Sequence, residues 1–116
     1  MAVKVNDRAV EHATRLINDR RYVSDDRDEW SEHQPSAQQE DDYIEAHGFD
    51  GYGRWYLGVD DERASDTKGH YTFPFGDFSA VHRCAVLSAE SRAGQHKYFD
   101  IEHVAAHLHG MLDALR

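Results

Sequence analysis

Nine histidines, one cysteine and ten arginines spread along 116 residues are the side chains here whose spacing could support chemistry. His103 and His107 stand four apart in a helical stretch, the separation that lets two imidazoles reach one metal ion. The zinc-protease form of that pair needs Glu directly after the first His, and Val104 holds the place. A third ligand would have to come from a distance, from His82, Cys84 or His12. The preferred reading is that His103 and His107 flank a core stripe, and no metal or cofactor is expected.

His82 and Cys84 raise the idea of a Cys–His nucleophilic pair. Read as neighbours on one helix, side chains two apart diverge by about 200° and do not touch. Cys84 also falls among apolar positions, where a free thiol behaves as a small hydrophobe. No catalytic residue is expected. Arg92 says more, because a helical wheel puts it with Val81, Ala85 and Ser88 on the apolar face of the third helix. A guanidinium there needs a carboxylate or an opening to solvent. Asp77, Asp100 or Glu102 are the expected partners; the functional alternative is a bidentate grip on an anion or a substrate carboxylate. Arg83 lies with Glu90 on the opposite side, where surface or interface contacts are available. The binding candidates are therefore Trp55, Asp77, His82, Arg83 and Arg92.

Other motifs fail on detail. The loop from Asp60 to Gly69 is acidic, but the central Gly and terminal Glu of a calcium-binding EF-hand are replaced by Ser65 and Tyr71. Gly51-Tyr52-Gly53 belongs to neither phosphate-binding glycine pattern, and no Gly-x-Ser-x-Gly elbow occurs.

The elements that must position these residues follow from periodicity. Asn6 is a suitable N-cap for a first helix whose apolar side is Ala9, Ala13, Leu16 and Ile17. Residues 22–35 read as a polar connector pinned by Trp30. Ser36 and Gln39 form a capping box for a second helix, which Gly48 ends. Trp55, Leu57 and Val59, then Tyr71, Phe73 and Phe75, alternate as strands of a two-stranded antiparallel ribbon. Pro74 fits only an edge or a strand end. Asp77 would cap a third, central helix from about Phe78 to Gly94. A fourth begins near Asp100 with Ile101, Val104, Leu108, Met111, Leu112 and Leu115 on its core side. The order is α-α-β-β-α-α, a helix-dominated α+β single domain over residues 1–116.

Bulk properties narrow the function classes. A net charge of −9, from 22 acidic and 13 basic side chains, repels a nucleic-acid backbone at long range, and no basic cluster offsets it. Apolar runs are far shorter than the roughly 20 residues that span a bilayer. One cysteine permits no internal disulfide, and the first residues lack a signal-peptide pattern, so a cytoplasmic protein is expected. Mean hydropathy is −0.81, yet two Trp, six Tyr and five Phe supply a core.

Several segments together have a family character: Asp28-Glu29-Trp30-Ser31-Glu32-His33-Gln34-Pro35-Ser36, Tyr52-Gly53-Arg54-Trp55-Tyr56-Leu57-Gly58, the run from Thr67 to Phe78, Val81-His82-Arg83 and Ala89-Glu90-Ser91-Arg92-Ala93-Gly94-Gln95. Across nearly the whole chain this resembles a group of small uncharacterised bacterial proteins. The resemblance implies a bacterial, cytosolic origin and a self-contained domain; it implies no activity, cofactor or site. The expectation is a small non-enzymatic binding or interaction module, its Gly/aromatic segment facing a protein partner or a second copy. The alternative is a metal-binding protein or enzyme that gathers His82, His103, His107 and Arg92 in a cleft.

Overall fold

Apolar residues at helical spacing enclose one core, and the structure, a computed structural model, describes residues 3–115. Helix α1 (Asp7–Asn18) buries Ala9, Ala13, Leu16 and Ile17, the residues its periodicity picks out. Asn6 occupies the N-cap position but turns its side chain elsewhere: Nδ2 donates to the carbonyls of Gly53 and Tyr56 at 2.9 and 3.1 Å. Strand β2 (Tyr22–Val23) and a single turn, α2 (Trp30–His33), lie within the polar connector. Helix α3 (Ala37–Gly53) opens on the expected capping box, Ser36 Oγ accepting from the Gln39 amide and Gln39 Oε1 from the Ser36 amide. Gly48, at φ +71° and ψ 175°, is non-helical and ends the first helical run as expected; a second short run follows to Gly53, and α3 is the two runs joined across this kink.

The expected ribbon is present and is larger than the sequence suggests. Strands β3 (Tyr56–Asp60) and β4 (Tyr71–Pro74) pair antiparallel with Gly58 opposite Thr72. Strand β1 (Val3–Val5) pairs antiparallel with the other edge of β3, Val5 opposite Gly58, completing a three-stranded sheet. Three residues are too few for alternation to announce a strand. Pro74 closes an edge strand, where its missing N–H costs no ladder bond. The aromatic side chains go inward: Tyr52, Trp55, Tyr56, Phe73 and Phe75 are buried. This corrects the expectation of an aromatic contact surface, since the large apolar side chains exposed among the described residues are Val23 and Phe99.

Helix α4 (Arg83–Gln95) is central, as its composition predicts, burying Cys84, Ala85, Val86, Leu87, Ala89 and Ala93. Its neighbour α5 (Phe99–Ala114) presents Ile101, Ala105, Leu108 and Leu112. The architecture is α+β. No helix among the described residues is long and apolar enough to cross a membrane.

The start of α4 departs from the sequence reading. Phe78 adopts φ +72°, incompatible with continuous helix. Asp77 does not cap the helix: its Oδ1 accepts from the amides of Ser79 and Ala80 at 2.9 and 2.8 Å, folding residues 77–80 into a turn. Val81 and His82 then form β5 (Val81–His82), parallel to β2, with Tyr22 opposite Val81. The loop closes through the His82 amide, which donates to the Phe75 carbonyl at 2.9 Å. Gly76 makes this closure possible, because a Cβ there would collide with the Ala80 carbonyl and come within 2.7 Å of the Trp55 ring. Gly76→Ala is expected to destabilise the protein by about 1–3 kcal/mol through overpacking, measured as a lowered denaturation midpoint with unchanged m-value.

Candidate functional site

Asp25 and His82 are the buried charged side chains among the described residues, and they touch. Asp25 comes from the polar connector and His82 from the last residue before α4, so their meeting fixes the connector against the helix N-terminus. His82 Nδ1–H donates to Asp25 Oδ2 at 2.7 Å, and His82 Nε2–H donates to Asp77 Oδ2 at 2.8 Å. Asp25 Oδ1 accepts from the Cys84 amide at 2.8 Å, and its Oδ2 also accepts from the Cys84 thiol at 3.0 Å. Cys84 is the second residue of α4, whose own N-cap residue provides no side-chain cap. Asp25 is thus the helix cap, supplied from 59 residues away. A carboxylate at this end is also favoured by the helix dipole.

The titration of these groups follows from the contacts. Burial pushes the Asp25 carboxyl up, but the Cys84 amide and thiol and His82 outweigh it and hold it below the usual carboxylate range. For Asp77, burial is likewise overcome by His82 and by the amides of Ala80 and Ser79, and its pKa is lowered. Burial depresses His82, yet the two carboxylates raise it above its ordinary value. The Cys84 thiol is driven up by burial and by Asp25. The arrangement is an imidazolium between two carboxylates, with a protonated thiol alongside.

This geometry revises the sequence reading of His82 and Cys84. Their separation on a wheel assumed that both were helical, but His82 is extended (φ −109°, ψ 124°) and both side chains converge on Asp25. They still do not form a nucleophilic pair. The imidazole nitrogens both donate to carboxylates, leaving no lone pair to take the thiol proton, and Asp25 disfavours the thiolate.

The other candidates have separate placements. Trp55 belongs to the core, its indole N–H donating to Tyr43 Oη at 3.2 Å and its ring stacked on Phe75. Arg83 is engaged by Asp113, Nε to Oδ1 at 2.8 Å, and its Nη1 donates to the Asp25 carbonyl at 3.3 Å. His109 links Asp113 to Glu90, so Arg83 and Glu90 belong to one chain of contacts across α4 and α5. Arg92 has no carboxylate within 4.0 Å among the described residues, contrary to the expected pairing with Asp77, Asp100 or Glu102. It is exposed, with Cζ 5.4 Å from the Phe73 ring centroid. His103 and His107 lie exposed on α5, and no third ligand gathers with them among the described residues.

Beside the buried cluster a cleft of about 370 Å³ opens between α2 and α4. Arg27 and Arg92 flank it, and Ser31, Ser88 and Ser91 place hydroxyls along it. Trp30, half-buried with its ring 5.7 Å from His82, forms one wall; Gln34, Asp28 and Cys84 complete the lining. Asp25, Arg27 and His33 escaped the sequence reading because the connector has no periodicity. The available signal was indirect: a central helix whose start carries no cap of its own must borrow one.

In metal-free protein kept under chelator, the sign of the pH dependence can be worked out for each group. The raised His82 contributes stability that is complete below its unfolded value near 6.5 and is lost as pH rises through its folded pKa. The lowered Asp25 and Asp77 contribute stability that is present above about 3.8 and is lost as pH falls through their folded values. The cluster therefore stabilises the fold most between those limits. Asp77→Asn should lower the His82 midpoint in a side-chain NMR titration. Asp25→Asn should cost about 3–5 kcal/mol, as breaking a buried ion pair does. An unshifted His82 midpoint in Asp77→Asn would contradict the assignment.

Compared with protein-family models, with curated proteins and with solved structures, the chain matches none of them.

Proposed function

We propose that this chain is a non-enzymatic binding module of the bacterial cytoplasm, holding a small carboxylate- or phosphate-bearing ligand between α2 and α4. The observation that carries this reading is the pair Arg27 and Arg92. Both guanidiniums border one cleft, and neither has a carboxylate within 4.0 Å among the described residues, in a chain with 22 acidic side chains. Planar guanidinium donors match the two oxygens of a carboxylate or phosphate, and three serine hydroxyls add shorter-range donors. Asp28, also in the lining, opposes a second negative charge at its end of the cleft and gives the ligand an orientation. The volume of 370 Å³ falls at the small end of the roughly 300–1,000 Å³ range of ligand sites. Trp30 offers a flat apolar wall for the uncharged part of such a ligand. The net charge of −9 speaks against nucleic acid as the ligand.

Titration with inorganic phosphate and with malonate, followed by amide chemical shifts, tests the assignment. Shifts should concentrate at residues 27–34 and 84–92. Arg92→Ala and Arg27→Ala should each weaken binding about tenfold or more, about 1.4 kcal/mol, and Arg92→Lys should restore it only in part. Absence of saturable shifts with both anions, or affinity indifferent to both substitutions, would overturn the reading.

A further inference from the structure

The atoms that meet at Asp25 are also a ligand set. Asp25 Oδ2, His82 Nδ1 and Cys84 Sγ lie within 4.8 Å of one another, all on buried residues. His33 approaches from the open side, with Nε2 3.9 Å from Asp25 Oδ2 and its ring 5.1 Å from that of His82. We infer that Asp25, His82, Cys84 and His33 form a site for a zinc-type divalent cation. One oxygen, two imidazole nitrogens and one sulfur are the donor types zinc takes in tetrahedral coordination.

Three features of the surroundings support this reading. The first is the contact on the far side of His82. Asp77 accepts the Nε2 proton, the outer carboxylate contact that fixes the ring and tautomer of metal-bound histidines. The second is charge. With protons, the group comprises two carboxylates, one imidazolium and one neutral thiol, a net −1. A divalent ion that displaces the Nδ1 proton and the thiol proton leaves two carboxylates, a neutral imidazole and a thiolate around +2, again a net −1. Exchange of one ion for two protons therefore leaves the buried charge unchanged and avoids a new desolvation penalty.

The third is reach. Metal–ligand bonds of about 2.0–2.3 Å in a tetrahedron set donors about 3.3–3.7 Å apart. The present Oδ2–Nδ1 and Oδ2–Sγ separations of 2.7 and 3.0 Å would open by about half an ångström. His33, 3.9 Å from Asp25 Oδ2 but outside the group whose donors all lie within 4.8 Å, would move in by about an ångström or more to complete the tetrahedron. Asp25 Oδ1 keeps its hydrogen bond to the Cys84 amide throughout, so α4 retains its cap. Cys84 borders the cleft, which gives an ion its entry path. The site stands on its own donors and is independent of the anion reading. Glu29, Glu32 and His33 form a rival group that shares His33, and the experiment separates the two.

The experiment is a cobalt titration of the full chain, freed of metal with chelator, followed by displacement with zinc. One equivalent should bind with tetrahedral visible bands and a near-ultraviolet sulfur-to-cobalt charge-transfer band. Zinc should abolish both, and two protons should be released per ion bound, read with a pH indicator. Cys84→Ser, which keeps a hydroxyl donor for Asp25, should lose the charge-transfer band and weaken zinc at least a hundredfold. Asp77→Asn should weaken zinc by roughly 10–100-fold while keeping the band. His33→Ala, at an exposed position, should weaken it at least tenfold and carries the test if Cys84→Ser does not fold by circular dichroism. His103→Ala and Arg92→Ala should leave the metal unaffected, so loss of phosphate binding and loss of zinc are read separately. Absence of a charge-transfer band in the unsubstituted chain, or zinc affinity untouched by Cys84→Ser and lost in Glu29→Gln or Glu32→Gln, would overturn the inference.

Discussion

A carboxylate shut away from water has to be given a full set of donors, because an unpaired buried charge costs several kcal/mol. Asp25 meets that demand with groups from one short stretch of chain, the His82 ring and the amide and thiol of Cys84. In sequence they lie 57 to 59 residues away. Much of the local architecture follows from satisfying it. The connector has to lie against the N-terminus of α4, which brings Trp30 over His82 and sets α2 beside α4. His82 has to leave the helix for its ring to reach Asp25, and the extended residues 81–82 pair with β2 as a consequence. Asp77 has to stand beyond the ring, which the turn at 77–80 and the tight fit at Gly76 bring about.

The same economy accounts for the cleft. With 22 acidic side chains against 13 basic ones, most guanidiniums could find a carboxylate. Arg83 does, in Asp113, and Arg63 does, in Asp60. Asp25 and Asp77 are taken by His82, so neither is available to the cations across the cleft. Arg92 stays over Phe73, and Arg27 lines the same cleft. Local positive charge on a strongly negative molecule is then a product of how Asp25 and Asp77 are paired, and it is the feature on which the proposed anion reading rests.

Much of the fold is legible in the sequence wherever the signal is local. The apolar stripes of α1, α4 and α5, the Ser36–Gln39 box and the pairing of β3 with β4 each depend on residues a few positions apart, and all are seen in the structure, although residues 55–58 are all buried and do not alternate in exposure. What escapes is decided at long range. Asp77 has the identity of a helix cap, but three residues of turn and the positive φ of Phe78 intervene, and the cap comes from Asp25 instead. Arg92 falls on the correct side of its helix, beside Ser88, but that side faces a cleft and not a carboxylate. Trp55 alternates as a strand residue should, yet nothing in the alternation says that its ring is enclosed by Phe75 and His12.

His82 and Cys84 show how far residue type can mislead about chemistry. A histidine and a cysteine that meet in a fold suggest a base and a nucleophile, and here they do meet. The third member decides their roles. A neutral imidazole between solvent and a thiol could accept the thiol proton, but an imidazole held between Asp25 and Asp77 is an acid with both protons committed. A thiol that donates to the same Asp25 oxygen keeps its proton more tightly than it would in water. The carboxylate that assembles the pair therefore denies it nucleophilic chemistry. Only a species that replaces both protons at once, bringing its own positive charge, changes the character of the cluster without leaving Asp25 unpaired.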